Sequence, residues 1–203
     1  MKIAIIGATG NVGTRLTDEA LRRGHTVTTL ARQASSLPDR AGVTARNVDV
    51  ADGAALAAAL TGHDAVISTV RFLQAKAPQI VDAVKAARVE RLLVVGGAGS
   101  LFVAPGMQLV DTPTFPAQYK DEAAAGRDFL NALRGETALA WTFLSPSALF
   151  LPGERTGNFR LGGEELLADA AGKSSISMED YAIAMLDEIE APAHVRRRFT
   201  VGY

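Results

Sequence analysis

Residues 2–16 have the sequence KIAIIGATGNVGTRL, and this stretch decides the fold. Lys2 to Ile6 is an apolar run without polar alternation, which is typical of a strand buried on both faces. The seven residues that follow, GATGNVG, contain three glycines. From Asn11 onward the apolar residues have helical spacing, and we predict a helix from Asn11 to Arg23 that stops at Gly24. The stretch therefore predicts a strand, a tight glycine turn and the start of a helix.

The glycine turn has the features of a phosphate-binding loop. Glycines at these points allow a sharp turn, a close approach of the backbone to a pyrophosphate, and tight packing of the helix on the strand. The free N–H groups of the helix start would face the negative charge. The spacing is G-x-x-G-x-x-G rather than G-x-G-x-x-G, so an ordinary strand-to-helix turn is the alternative. The residues predicted to bind a dinucleotide here are Gly7, Thr9, Gly10, Asn11, Val12 and Gly13.

The same alternation of strand and helix continues along the chain. Further apolar runs occupy residues 26–30, 64–70, 91–95 and 138–144, and helical patterns occupy 51–60, 74–87 and 121–133. Ser177 is predicted to cap a last helix that ends at Glu190, followed by a short strand at 199–201. This order predicts an α/β fold: a Rossmann-type doubly wound parallel sheet with helices on both faces.

Length and composition set limits on the function. The 203 residues fit a single domain over 1–203, and 21 basic against 22 acidic side chains favour neither nucleic acid nor an anionic membrane as a partner. The chain has no cysteine and no metal-binding pattern, so we expect no metal site. It begins without the pattern of a signal peptide, and we expect a cytoplasmic protein. The basic run 196–198 is interpreted as a solvated turn.

Two stretches interrupt the alternation and are predicted to be loops that follow the later strands. They supply a small substrate-side region from residues 99–116 and 151–175. Their apolar residues would line a pocket for a small-molecule substrate; the alternative is that they complete the core or a contact between subunits, as in a homodimer. The residues in question are Leu101, Phe102, Val103, Met107, Leu109, Phe115, Phe150, Leu151 and Phe159.

Arg32 decides which dinucleotide is expected. A site that prefers NAD usually carries Asp or Glu at the end of the second strand, where the carboxylate binds the ribose 2′-hydroxyl. Here the chain has Leu30-Ala31-Arg32-Gln33. A guanidinium holds a 2′-phosphate through charge-assisted hydrogen bonds, so NADP(H) is favoured over NAD(H). The alternative is that Arg32 is an ordinary surface arginine.

With these motifs in view, the chain resembles the atypical short-chain dehydrogenases/reductases, in particular the small NmrA-like NAD(P)H-binding proteins. The resemblance covers nearly the whole length. It rests on residues 7–13, on Asp49-Val50, on residues 67–70 (ISTV), and on residues 94–100 (VVGGAGS). The fingerprint is specific to the superfamily, but it does not specify a substrate.

The resemblance also implies roles for particular residues. Asp49 and Val50, after the third strand, would lie by the adenine. Ser145 and Pro146, with Ser147, would cover the nicotinamide side. The end of the fourth strand and the segment after the fifth would line the cofactor, which adds Ser68, Thr69, Val70 and Gly97 to the predicted site.

The catalytic centre departs from the parent family. The classical enzymes use Tyr-x-x-x-Lys and a serine, in which the tyrosine passes a proton and the lysine lowers its pKa and binds the nicotinamide ribose. Lys120 resembles that lysine, but Pro116 stands where the tyrosine is expected. Tyr119 is adjacent to Lys120, and neighbours on a helix point in different directions. Ser100, Tyr119 and Lys120 are the candidate catalytic residues; the alternative is that Tyr119 and Lys120 only begin a helix.

Three functions follow from this pattern. The leading hypothesis is an NADPH-dependent oxidoreductase that reduces a flat conjugated acceptor, such as a quinone or flavin, which needs little proton assistance. A non-catalytic redox sensor of the NmrA-like kind is the first alternative, and the missing tyrosine favours it. A nucleotide-sugar epimerase or dehydratase is the second, although such relatives generally keep the tyrosine and have a larger C-terminal region.

Overall fold

A computed structural model describes all 203 residues of the chain. The strands are β1 Lys2–Ile6, β2 Thr26–Ala31, β3 Val43–Asn47, β4 Ala65–Ser68, β5 Arg91–Val95, β6 Phe102–Ala104, β7 Met107–Gln108, β8 Ala140–Pro146, β9 Leu149–Leu151, β10 Arg160–Gly162, β11 Ser175–Ser177 and β12 Arg197–Gly202. The helices are α1 Asn11–Arg22, α2 Gly53–Leu60, α3 Ala77–Ala86, α4 Lys120–Arg134 and α5 Met178–Glu190. No helix has the length and the apolar character needed to cross a membrane.

The central sheet has eight strands in the order β3-β2-β1-β4-β5-β8-β12-β10. All neighbours in it are parallel except β10, which pairs antiparallel with β12. The chain reverses direction across the sheet between β1 and β4. An open sheet of this kind binds ligands in the crevice at such a reversal, outside the carboxyl ends of the strands. The predicted α/β Rossmann-type fold is confirmed.

Both faces of the central strands β1, β4 and β5 are buried, which explains their unbroken apolar runs. Ile3 and Ile5 of β1 point into a core shared with α1 and α5. Ala4 and Ile6 point into a second core shared with α2, α3 and α4. A parallel strand covered by helices on both sides has no polar face, so its sequence shows no period of two.

The structure corrects several sequence-based boundaries. β3 was not visible as an apolar run, because it is the edge strand and four of its five residues are exposed. The helix predicted from Gln74 begins at Ala77, with Pro78 in its first turn, where a missing N–H costs nothing. The two predicted loops contain the β6–β7 hairpin and the edge strand β10. The basic run 196–198 is not fully solvated, because Arg198 is only 5% exposed.

The segment after β9 packs over the middle of α1 and holds it to α5. Glu19 of α1 is 3% exposed, and its carboxylate accepts from Arg23 at 2.9 Å and from Arg155 Nε at 2.8 Å. Burial alone would raise the pKa of Glu19, but the hydrogen bonds from Arg155 and Arg23 outweigh it and lower the pKa to about 2. Glu19 is therefore a buried carboxylate at the centre of a partly exposed ion-pair cluster, which reaches α5 through the contacts of Arg23 with Asp187 and Glu190.

Candidate functional site

A cavity of about 710 Å³ opens where the carboxyl ends of β1, β2 and β4 meet, at the reversal of the sheet. Its walls come from the glycine turn and from the segments that follow β2, β3 and β4. The lining residues are Ile6, Gly7, Thr9, Gly10, Leu30, Ala31, Arg32, Gln33, Val48, Asp49, Val50, Thr69, Val70, Arg71 and Gln74. Strand ends that are distant in sequence thus form one site, as the parallel order requires.

The glycine turn is shaped by contacts that only glycine permits. Gly7 has a φ of +82°, and a Cβ there would lie 2.6 Å from Thr69 Oγ1. A Cβ on Gly13 would lie 2.7 Å from the Cα of Ala8. The Thr69 hydroxyl donates to the carbonyl oxygens of Ile6 and Gly7, each at 2.9 Å, and so fixes the turn to the end of β4. We call this turn, Gly7 to Gly13, the glycine cradle, because its close contacts at Gly7 and Gly13 leave no room for a Cβ.

The start of α1 has no cap from its own chain. Its N-cap residue is Gly10, no side chain bonds to the first turn, and that turn has no acidic residue. By contrast, the Asp52 carboxylate caps α2 at 2.9 Å from the N–H of Ala55, and the Ser177 hydroxyl caps α5 at 3.0 Å from the N–H of Asp180. Uncapped N–H groups at a helix start attract an anion. Asn11, Val12 and Gly13 carry these groups; they follow Gly10, which lines the cavity, but do not line it themselves.

Arg32 lies on the cavity wall as an exposed side chain that makes no hydrogen bond or ion pair within the chain. The turn that follows it is well anchored. The N–H of Ser35 donates to Asn47 Oδ1 at 2.9 Å, and Asn47 Nδ2 donates to Ser35 Oγ at 3.0 Å. The backbone around Arg32 is therefore held in place while its guanidinium stays free for a ligand.

Asp49 is the one carboxylate on the cavity wall. Its Oδ1 accepts from the N–H of Ala51 at 2.9 Å, which turns the chain after β3. Sequence reasoning missed Arg71 and Gln74, which line the cavity just beyond β4. They belong to no known motif, and only their distance from the end of a parallel strand could have indicated them.

The remaining predicted residues lie outside this cavity. Ser68 is buried within β4, and Ser145 and Pro146 are buried at the end of β8. Gly97 follows β5 and is half-buried. Gly97, Ser145 and Pro146 lie at the carboxyl ends of β5 and β8, which are farther from the reversal than β4.

The first turn of α4 lies at the same edge of the sheet. A Cβ on Gly99 would lie 2.7 Å from the Cβ of Ala123, so the segment after β5 packs directly on this turn. Glu122 accepts from the N–H of Phe72 at 2.8 Å, which ties the segment after β4 to it as well. Lys120, the first residue of α4, is exposed and makes no hydrogen bond within the chain.

The three candidate catalytic residues are not joined by any hydrogen bond. Ser100 is 4% exposed, and its carbonyl oxygen accepts from Arg198 Nη2 at 3.3 Å. Tyr119 is 58% exposed and ends a short 3₁₀ turn that leads into α4. The predicted helix start at Lys120 is observed, but the structure brings no phenol to Ser100 or to Lys120.

The apolar residues of the two substrate-side segments divide into separate groups. Phe102 and Val103 line a cavity of about 570 Å³ together with Leu166. Phe150 and Phe159 pack against the α1–α5 core, and the Phe150 ring lies 4.7 Å from that of Tyr181. Phe150 and Phe159 therefore complete the core, as the alternative account expected, and form no wall of an acceptor pocket.

The fold, the glycine cradle and the cavity at the reversal together define a Rossmann-type dinucleotide-binding protein. The chain belongs to the NAD(P)H-binding family, which matches residues 7–192. Its cofactor is therefore a nicotinamide dinucleotide, and the resemblance noted from the sequence is confirmed.

Three solved structures show the same fold over nearly all of their length. A candidate exported protein from Burkholderia pseudomallei is 48% identical, with a TM-score of 0.91 and all of both chains covered. A candidate epimerase from Bacteroides thetaiotaomicron is 41% identical, with a TM-score of 0.93, covering 100% of this chain and 96% of the other. A candidate NADH-flavin reductase from Streptococcus pneumoniae is 35% identical, with a TM-score of 0.83, covering 100% and 99%.

Proposed function

We propose that this protein is an NADPH-dependent oxidoreductase that passes a hydride to a small, flat, conjugated acceptor such as a quinone or a flavin. The observation that carries the proposal is that the free guanidinium of Arg32 lies on the cavity wall and that Gly10, the N-cap of the uncapped α1, lines the same cavity. Together they supply cationic and N–H donor groups for two separate phosphate positions of one ligand.

The residues fit a dinucleotide. The Cβ-free cradle at Gly7 and Gly13 lets the pyrophosphate approach the backbone, and the N–H groups of Asn11 to Gly13 donate to it. Asp49 and Val50 border the adenine end of the cavity. Arg32 takes the ribose 2′-phosphate.

The charges of the cavity favour NADP(H) over NAD(H). Two arginines, Arg32 and Arg71, line it, and its single carboxylate, Asp49, is turned toward the N–H of Ala51. No carboxylate stands at the end of β2 to accept from a ribose 2′-hydroxyl. A guanidinium forms charge-assisted bonds with a phosphate, so the extra phosphate of NADP(H) gains contacts that NAD(H) lacks.

Hydride transfer to a quinone or flavin requires the protein mainly to bind the two reactants and orient them. When bound, NADPH supplies a hydride. Lys120 at the start of α4 would hold the nicotinamide ribose, and Gly97, Ser145 and Pro146 would border the nicotinamide. The hydroxyl of Ser100 has no partner within the chain and donates to an oxygen of the acceptor. A flavin or quinone takes its proton from water, so the absent tyrosine is no obstacle.

One observation favours a second candidate, a redox sensor that binds dinucleotide without turnover. Tyr119 is 58% exposed and bonds to neither Ser100 nor Lys120, so the chain offers no assembled proton donor. A sensor needs none. The candidate NADH-flavin reductase among the relatives favours the enzyme instead. The same missing tyrosine weighs against an epimerase, although one relative is a candidate epimerase. Residence in the cytoplasm and assembly as a homodimer stay predictions.

The test is NADPH oxidation by the purified protein with a panel of quinones, flavins and dyes. We expect turnover above the protein-free rate with at least one conjugated acceptor, and slower turnover with NADH. Tight binding of NADPH without turnover of any acceptor in the panel would contradict the proposed enzyme and favour the redox sensor.

A further inference from the structure

A second charged site lies at the opposite end of the sheet from the dinucleotide cavity. A cleft of about 520 Å³ opens at the amino ends of β8 and β12, where the last residue of α4 and the segment after β10 border it. It shares no residue with the dinucleotide cavity. Its charged lining residues are Arg134, Glu164, His194, Arg196, Arg197 and Arg198.

Positive charge in this cleft exceeds negative charge. Four arginines line it against one carboxylate, Glu164, which Arg134 contacts at 2.8 Å and which Arg198 also contacts. Arg197 makes no side-chain hydrogen bond, and Arg196 donates only through Nε, to the Leu139 carbonyl at 3.2 Å. Two guanidiniums therefore face the cleft without a counter-charge, although neighbouring like charges repel one another.

Arg198 adds an independent observation. Its side chain is fully buried, and its Nε has no hydrogen-bond partner. A buried donor without a partner costs free energy, and a charged one costs more than a neutral one. Arg198 also borders the cleft, but its guanidinium is paired with Glu164, so the charges without a partner are those of Arg196 and Arg197.

The cleft walls are rigid. The His194 ring stacks on Phe199 with centroids 4.0 Å apart and an angle of 8°. His194 Nδ1 lies 2.9 Å from Glu188 Oε2, which fixes the orientation of the ring. The Trp141 indole N–H donates to the carbonyl of Glu136 at 3.1 Å. Because these walls are already held by their own contacts, a ligand would not have to order them.

We propose that this cleft is a binding site for a small anion that carries several charged oxygens, as phosphate esters and polycarboxylates do. The guanidinium forks of Arg196 and Arg197 bind such oxygens in pairs, which is the geometry that arginine is best suited to. The site is separate from the dinucleotide cavity and does not depend on the function proposed for it.

The test is calorimetric titration with pyrophosphate and, separately, with citrate, at constant ionic strength. Both titrations are run on the chain saturated with NADPH, which fills the glycine turn and the Arg32 position, so that neither anion can bind in the dinucleotide cavity. We expect one site per chain, and binding weakened by about tenfold or more in the double variant Arg196→Gln/Arg197→Gln. Stronger binding of pyrophosphate would identify a phosphate ligand, and stronger binding of citrate a polycarboxylate.

Arg88→Gln is the matched control, because Arg88 and Arg196 are the two non-glycine residues with positive φ, at 58° and 55°. It should bind like the wild type. Arg197→Gln alone removes an exposed, unpaired side chain and should fold normally, which separates lost binding from lost folding. Unchanged binding in the double variant, binding of the anions only when NADPH is absent, or no binding of either anion at millimolar concentration would each overturn the proposal.

Discussion

Helices α1 and α5 pack side by side on one face of the sheet, yet their amino ends differ. The start of α5 is closed: Ser177 caps it, and the buried Asp180 accepts from the N–H groups of Thr156 and Gly157 at 2.7 and 2.8 Å. The start of α1 is open, with a glycine as N-cap and no acidic side chain in its first turn. Both helices follow strands of similar burial.

The difference separates structural polar groups from ligand-binding ones. At α5 the N–H groups of Gly153, Thr156 and Gly157 in the overlying loop find carboxylate partners within the chain, which stabilises the loop. At α1 the N–H groups and the nearby Arg32 are left for a partner that the chain does not supply. Substitutions at the two helix starts should therefore affect different properties: stability at α5 and binding at α1.

The largest effect on stability is expected from Asp180→Ala. Besides the two N–H groups, the carboxylate accepts from the hydroxyls of Thr156 at 2.5 Å and Tyr203 at 2.8 Å, and it is fully buried. Its loss leaves buried donors unpaired and should lower the free energy of unfolding by about 3–5 kcal/mol, measured by urea denaturation. Asp180→Asn, which keeps two acceptor positions, should lose less. Equal and small losses in both variants would contradict a structural role for this network.

Gly13→Ala should damage both stability and binding. The new Cβ would lie 2.7 Å from both Ala8 Cα and the Gly7 carbonyl oxygen, so the glycine turn has to shift. We expect a loss of about 1–3 kcal/mol in the free energy of unfolding and a clear loss of dinucleotide affinity. The control is Gly53→Ala in the first turn of α2, where a Cβ meets nothing within 4 Å. If Gly13→Ala keeps its dinucleotide affinity, the glycine cradle is not required for binding.

Glu19 should make the α1–α5 contact sensitive to acid. Its pKa is lowered from an ordinary value of 4.5 to about 2, so its contribution to stability is complete above pH 4.5 and is lost as the pH falls toward 2. Glu19→Gln should cost about 2 kcal/mol at neutral pH, and the difference from the wild type should shrink at about pH 3. Urea denaturation at both pH values measures this. If the stability difference between Glu19→Gln and the wild type stays constant with pH, the ion pairs around Glu19 are not its cause.

The smallest effect on stability is expected at the start of α4, which is also uncapped. Lys120 is exposed and unpaired, so Lys120→Ala should change the free energy of unfolding by about 0.5 kcal/mol or less. NADPH oxidation should fall by about tenfold, since the ribose loses its contact. Tyr119→Phe, at an exposed neighbour, should change neither property. A large loss of turnover in Tyr119→Phe would show that the Tyr119 hydroxyl takes part in catalysis.

Much of the site was predictable because the carboxyl ends of parallel strands must meet at one edge. The apolar runs located β1, β2 and β4, and the residues after them, such as Thr9, Arg32 and Thr69, do line one cavity. The edge strand β3 was hidden because its exposed side chains give no apolar run. Its position followed only from the family resemblance.

What the sequence could not show depends on contacts between distant segments. Arg198 lies in a basic run that is typical of a solvated turn, yet its side chain is buried against Glu164 and Ser100. Phe150 suggested a pocket wall, but it packs on Tyr181. The burial of Arg198 and the packing of Phe150 do not follow from local sequence spacing, because each depends on which distant segment packs against that side chain.

The central claim is that Arg32 and the open start of α1 bind NADPH. The direct measurement is a fluorescence and thermal-shift titration with NADPH, NADP, NADH and NAD on the wild type, on Arg32→Glu and on Arg46→Glu, whose arginine is exposed on β3 but does not line the cavity. The account predicts a preference for NADPH and NADP that Arg32→Glu abolishes and Arg46→Glu retains. No response to any of the four dinucleotides, or an equal loss in both variants, would contradict it.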